Sequence, residues 1–352
     1  MSTSIRFGLV GAGAIGAIRA DALRVSQRCA LTAICDLDEA RARKVGSDAC
    51  YFEKPADLIA SDLVDAVIVS VPPSYHESLA VAALAAGKHV MVEKPMAATP
   101  EACRRMTEAA IAAGKVLSVG YNHRYFAAVK RLRDAVQSGA IGTLSHVRAY
   151  TGHAGLAEFK SPWMYDAKVM GGGVLMDNGT HIIDLVRYVM GDATEVSGHA
   201  TGRVWQLPVE DHAVTLLRGA DGTTASIEAS WDEWKGYRFF VEAYGDRGMA
   251  RASYAPMQYM QILLDRPGRV VKKERQFYVG SMLRERMSGW QSTVVSTFVE
   301  EYADFVKIVE GSTDSTRIAL GNDGIRAVEI AQATYSSSQS GERVALPPLP
   351  SA

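Results

Sequence analysis

The sequence predicts an α/β protein in two parts. A doubly wound parallel sheet comes first, and an α+β part with a large, mostly antiparallel open sheet follows. Three observations predict this. Short apolar runs alternate with helical runs from residue 5 to about residue 120, the rhythm of βαβ units. The motif Gly11-Ala12-Gly13-Ala14-Ile15-Gly16 joins the first strand to the first helix. After Phe126 the pattern changes to longer alternating strands, with hairpin signals at Asp221-Gly222 and Asp246-Arg247-Gly248. The expected domains are residues 1–124 and 125–352, and 352 residues suffice for two cores.

The first strand is Ile5 to Val10, and its helix runs to about Arg24. In G-x-G-x-x-G between strand and helix, Gly11 allows the tight turn and Gly13 lets backbone approach a pyrophosphate. Gly16 lets helix and strand pack closely. The helix N-terminus supplies N–H donors for phosphates, and Ala14 and Ile15 lie in that first turn. The next strand, Leu31 to Cys35, ends at Asp36, where the dinucleotide fingerprint wants a ribose-binding acid. A carboxylate there accepts from ribose hydroxyls and repels a 2′-phosphate, so NAD is expected over NADP. Arg41 and Arg43, a turn or more later, are the residues that could still favour the phosphate.

Asp65 to Val71 is the next strand, and Ser70 and Pro72 at its end count as cofactor positions. Ser74 and Glu77 have the spacing of a capping box. His76, in the first turn, suits either a cofactor contact or a solvated helix start. The strand of His89 to Val92 then runs into Glu93-Lys94-Pro95. Proline stops the ladder, so Glu93 and Lys94 sit at a strand's carboxyl end, where open α/β sheets bind ligands. A lysine held there is a usable acid or base, although a plain surface ion pair is the simpler reading. Thr99 and Pro100 form an N-cap and N1 pair, and Gly114 ends that helix. Strand Val116 to Gly120 leads to Asn122 and Arg124.

In the second part, strands are expected at Leu144 to Thr151, Glu195 to Trp205, Ala213 to Leu217, Thr223 to Trp231, Arg238 to Gly245, Ala250 to Tyr254 and Tyr259 to Asp265. One segment interrupts them: Gly171-Gly172-Gly173, then Asp177, His181 and Asp184 at i, i+4 and i+7 on one helix face. A glycine run lets backbone pass close to something, and a polar stripe behind it suits a site wall. The competing readings are a capping Asp177, a core His181, or a metal pair. That pair lacks the further ligands a metal needs, so none is expected.

Composition narrows the function. Net charge is −1, with no basic run, which argues against nucleic-acid and membrane-surface partners. No apolar run is long enough to span a bilayer, and no signal peptide precedes the first strand. Cys29, Cys35, Cys50 and Cys103 show no CxxC spacing and read as small buried hydrophobes in a reducing, cytoplasmic setting.

Together these motifs resemble the glucose–fructose oxidoreductase / inositol dehydrogenase / rhizopine-catabolism (Gfo/Idh/MocA) family. The likeness rests on the glycine motif, on Ala82-Ala83-Leu84-Ala85-Ala86-Gly87-Lys88-His89-Val90 leading to Glu93-Lys94-Pro95, and on Gly171-Gly172-Gly173 with Asp177-x-Gly179-x-His181-x-x-Asp184. It implies a Rossmann domain, a nicotinamide cofactor, a sugar or polyol substrate, and a homodimer or homotetramer packed through the C-terminal sheet. It also implies that Lys94 contacts substrate and nicotinamide, that Asp177 and His181 lie on the substrate side, and that Asn122 lies near the nicotinamide. His181 is then the expected base, oriented by Asp177, with Lys94 polarising the oxygen. Trp163 is expected either to stack on a sugar face or to be structural. Two rival functions use the same parts: a glycosidase working through transient C3 oxidation, and a non-enzymatic NAD-responsive module.

Overall fold

A computed structural model describes residues 4–157, 161–312 and 317–350. The Met1-Ser2-Thr3 start lies outside them. The chain forms two compact units. One comprises Met1–Tyr125 and Arg284–Ile325, and the other Phe126–Leu283 and Arg326–Ala352. Segment Arg284–Ile325, which the sequence reading assigned to the second domain, therefore belongs to the first unit.

The first unit holds β1 (Ile5–Val10), β2 (Cys29–Cys35), β3 (Cys50–Phe52), β4 (Ala66–Val69), β5 (His89–Val92) and β6 (Leu117–Val119). These six are parallel, in the order β6-β5-β4-β1-β2-β3, and Ala319–Leu320 adds antiparallel to β6. The order reverses between β1 and β4, which both flank the glycine motif. All four residues of β4 are buried, as expected of a strand covered on both faces. One core holds Phe7, Leu9, Ile34, Ile68 and Met91 together with Phe298, Tyr302 and Phe305. Those last three come from the Gln291–Val309 helix, an element the sequence reading did not identify.

Thr99 caps the Pro100–Ala113 helix through Ala102 N–H, and Gly114 ends it at φ 61°. The capping box at Ser74 does not form. Pro72-Pro73 starts a 3-10 turn, Pro73–Tyr75, that draws Ser74 into helical geometry, and helix His76–Ala85 follows without a side-chain cap. Glu77 reaches Arg105 instead. Cys50 is exposed, unlike the other three free cysteines.

The second unit is built on a nine-stranded sheet. Its strands are β7 (Leu144–Gly152), β8 (Ala193–Thr201), β9 (His212–Gly219), β10 (Thr224–Ser230), β11 (Arg238–Gly245), β12 (Gly248–Tyr254), β13 (Gln258–Arg266) and β14 (Arg269–Phe277), with Val344–Ala345 at one edge. β14 was not anticipated. β8 stops at Thr201 rather than Trp205, because the N–H groups of Arg203, Val204 and Trp205 turn onto the buried Asp211 carboxylate. Both predicted hairpins are present, β9–β10 and β11–β12. Among the described strand pairs of this sheet, β7 and β10 alone run parallel, with Gly152 opposite Ser230. The Thr180–Met190 helix packs its apolar face, including Ile182, Ile183, Leu185 and Val186, into the unit's core.

Candidate active site

The site residues fall into two groups, one in each unit. In the first unit, the glycine motif has the geometry its spacing predicts. Gly11 sits at φ 98°, and a Cβ there would lie 2.2 Å from the Ser70 carbonyl oxygen. A Cβ on Gly16 would lie 2.0 Å from the Gly11 carbonyl. Gly13 differs: a Cβ there meets nothing within 4 Å. It is the N-cap of helix Ala14–Val25 and offers no side chain to the first-turn N–H groups. Open space before unsatisfied helix donors is what a pyrophosphate requires. Ala14 and Ile15 form that first turn, and Ile15 is partly exposed. Ser70 N–H donates to Val10 O at the end of β4, and Pro72 begins the next turn.

Asp36 closes the other side of the motif. Its Oδ2 accepts from Ala12 N–H at 2.6 Å, and its Oδ1 from Asp38 N–H at 2.9 Å and from the Arg41 guanidinium. Burial opposes the charge, but the Arg41 hydrogen bond and the two backbone donors hold the carboxyl below its usual range. The acid expected to meet a ribose thus also fixes the glycine turn.

His76 is neither solvated nor open to a ligand. It is fully buried, with Nε2 2.7 Å from Val71 O and Nδ1 3.1 Å from Pro95 O, so it ties the end of β4 to the Glu93-Lys94-Pro95 turn. Glu93 is also committed inward. Its Oε1 accepts from Arg19 Nε at 2.6 Å. Arg19, wholly buried, also pairs with Glu301 and lies 3.6 Å over the Phe298 ring. Lys94 remains half-buried beside this anchor. Burial, and then the charge of Lys94, push the His123 imidazole down to about 3, so Lys94 faces a neutral ring. The Asn122 amide donates to Thr297 Oγ1 at 2.9 Å, with its oxygen 3.2 Å from His123 Nδ1. Helix Gln291–Val309 thus supports both the Lys94 and the Asn122 turns. Sequence reasoning missed it because its signal is a long amphipathic run far from either motif.

In the second unit, the glycine run does pass close to something, and that something is protein. A Cβ on Gly172 would lie 2.2 Å from Tyr335 Oη, and one on Gly173 2.0 Å from Glu210 O. The Glu210 carboxylate accepts from Gly173 N–H at 2.8 Å, Leu175 N–H at 2.9 Å and Tyr335 Oη at 2.7 Å. Those groups anchor a π-helical turn, Leu175–Gly179, that carries Asp177 into the α-helix bearing His181 and Asp184. The wider turn alters the simple i, i+4 stacking. Such turns often occur at functional sites.

Asp177, His181 and Asp184 are all buried. Asp177 Oδ2 lies 3.2 Å from His153 Nε2 and 3.4 Å from Trp231 Nε1. Tyr165 packs edge-on against Trp231, and burial, with the Asp177 charge, pushes its hydroxyl up to about 12. Trp163 is 38% exposed on the same short turn as Tyr165. No sequence motif marks His153, and Trp231 figures in the sequence only as the end of a predicted strand.

Comparison with known proteins finds a match in each part of the chain. Residues 5–121 match the family model described as "Oxidoreductase family, NAD-binding Rossmann fold", and residues 129–251 match the "GFO/IDH/MocA C-terminal domain". The chain is 33% identical over 264 residues to an inositol 2-dehydrogenase of Acidothermus cellulolyticus, covering 72% of this chain and 74% of that protein. It is 29% identical over 351 residues to a myo-inositol 2-dehydrogenase of Thermotoga maritima, covering 97% and 98%. Its fold is similar to that of a levoglucosan dehydrogenase solved with NADH, with TM-score 0.86 at 22% identity, covering 98% of this chain and 100% of that one. The chain belongs to the Gfo/Idh/MocA oxidoreductase family and carries its NAD-binding Rossmann domain. Among the described residues, no helix is long and apolar enough to cross a membrane.

Proposed function

We propose that this protein oxidises a secondary alcohol of a cyclic polyol, sugar or sugar derivative, with NAD as hydride acceptor. The observation that supports this best is that one chain carries both an open-fronted glycine turn, with Asp36 beside it, in its first unit and a buried Asp177/His181 helix on a Glu210-clamped turn in its second. The inositol 2-dehydrogenases similar to this chain support the substrate class.

Oxidation removes a hydride from carbon and a proton from oxygen, leaving C=O. Bound NAD would be held by the Ala14–Val25 helix N-terminus and Asp36, and it supplies the hydride acceptor. His181 takes the hydroxyl proton at its imidazole. Asp177, held as a carboxylate by its donors, favours the resulting positive charge. The Lys94 ammonium, backed by the Glu93–Arg19 anchor, donates a hydrogen bond to the alcohol oxygen and steadies negative charge there during transfer. A positioned acid–base group of this kind contributes roughly 10²–10⁴ in rate. Trp163 offers a ring face for the apolar side of a sugar.

Four free cysteines suit a reducing, cytoplasmic setting. A homodimer or homotetramer through the C-terminal sheet completes the proposal, and a monomeric mass in light scattering at micromolar concentration would count against that part. The function itself is tested by following NADH absorbance with purified protein, NAD and a panel of polyols and sugars, with product analysis. A ketone product with stoichiometric NADH supports it. Glycoside cleavage without net NADH, or no turnover on any member, contradicts it.

A further inference from the structure

The parallel pairing of β7 and β10 has a chemical result. Because Gly152 lies opposite Ser230, the two strands deliver their next residues, His153 and Trp231, side by side at one end of the sheet. Backbone bonds fix both: His153 N–H donates to Ser230 O at 3.1 Å, and Trp231 N–H to Asp211 O at 2.8 Å. Both side chains are turned to one oxygen, Asp177 Oδ2, and all three residues are buried, at 1%, 0% and 4% exposure for His153, Trp231 and Asp177.

The imidazole's tautomer follows from its other nitrogen. Gly155 N–H donates to His153 Nδ1 at 3.0 Å, so Nδ1 holds a lone pair. The ring proton of neutral His153 is therefore on Nε2, and it points at Asp177. The Gly155 turn is held in turn: Trp205 Nε1–H donates to Trp231 O at 2.9 Å, and a Cβ on Gly155 would lie 2.7 Å from Trp205 Nε1.

We infer that His153 is a positioning residue for the reaction: a neutral, Nε2-protonated imidazole that, with Trp231, holds Asp177 as an oriented carboxylate. It acts through Asp177 rather than on substrate. Two N–H donors on Oδ2 favour the ionised form of a buried acid and fix the carboxylate's orientation. Among the described residues, the titratable groups that face this cluster include Tyr165 and Tyr237, whose hydroxyls are both pushed up, and His181 further along the same helical segment. The inference rests on the proposed role of Asp177.

The test compares wild type, His153→Phe, His153→Gln and Asp177→Asn. Each is assayed for the pH profile of kcat/KM with the polyol that turns over best, and for NADH binding by fluorescence. His153→Phe keeps the ring's bulk but removes the donor. It should lower kcat at least about tenfold and move the acid limb to higher pH, with NADH affinity unchanged. His153→Gln, whose amide can place an N–H near the same point, should recover most of both. A wild-type profile in His153→Phe overturns the inference. If Asp177→Asn is inactive while His153→Phe is wild type, the reading of Asp177 stands and only the role of His153 falls. If Asp177→Asn turns over normally, that reading fails first. Should His153→Phe not fold, nitrogen NMR of histidine-labelled wild type decides. A neutral Nε2–H tautomer at His153 supports the inference, and an Nδ1–H tautomer overturns it.

Discussion

Arg19 Nε lies 2.6 Å from Glu93 Oε1, so the residue before the proposed catalytic lysine is anchored to the helix that begins at the glycine motif. Arg19 carries a second buried carboxylate, Glu301, on its other side. Removing the guanidinium would strand two buried acids. Arg19→Met should therefore destabilise the protein by about 3–5 kcal/mol, read as a fall in denaturant midpoint. An unchanged midpoint would mean the acids find other partners.

The same triad predicts a pH dependence of stability. Burial, against the pull of Arg19, pushes the Glu301 carboxyl from 4.5 up to about 7. The folded state thus binds this proton more tightly than the unfolded one. Its stabilising contribution is complete below pH 4.5 and is lost as pH rises to about 7. Melting temperatures of wild type and Glu301→Gln, measured from pH 4 to pH 8, should show wild type losing stability relative to the variant across that window. A constant difference contradicts the assignment.

Lys94→Ala should lower turnover by roughly 10²-fold or more while NADH binding persists, since the glycine turn and Asp36 lie elsewhere on the first sheet. Single-turnover kinetics with a fluorescence titration separate the two. Near-normal turnover would remove Lys94 from the chemistry.

Asp36→Ala should weaken NAD more than NADP, because a carboxylate favours ribose hydroxyls and repels a 2′-phosphate. It should also loosen the glycine turn, since Ala12 N–H loses its acceptor. Affinities for both cofactors, measured side by side, check this. A native preference for NADP would transfer the role to Arg41, which already touches Asp36.

Much of the fold was legible because it was local. Gly11 needs its positive φ, Thr99 its cap, and the Asp-Gly turns their hairpins, and each is written within a few residues. The Ser74 box failed because Pro72-Pro73 imposed a competing turn. What sequence could not display was which distant partner meets each motif. The Gly171–Gly173 run reads as backbone that passes close to something, and the sequence does not show that Glu210 and Tyr335 are what lies against it. His76 reads as either a cofactor contact or a solvated helix start, yet carbonyls from two strand ends enclose it. His153 carries no signal in the sequence, because its meaning depends on a parallel strand pair inside a mostly antiparallel sheet. Most features fixed within a few residues were readable, and features defined by a contact made elsewhere in the chain were not.

The account turns on His181 as the base, so the most direct measurement is the pH profile of kcat for oxidation in wild type, His181→Gln and Lys94→Met. A protonated imidazole cannot accept the hydroxyl proton, so wild-type kcat should fall below a single ionisation in the range where histidine titrates. His181→Gln should lose that acid limb and turn over far more slowly, whereas Lys94→Met should be slow but keep it. An unchanged acid limb in His181→Gln would contradict the assignment.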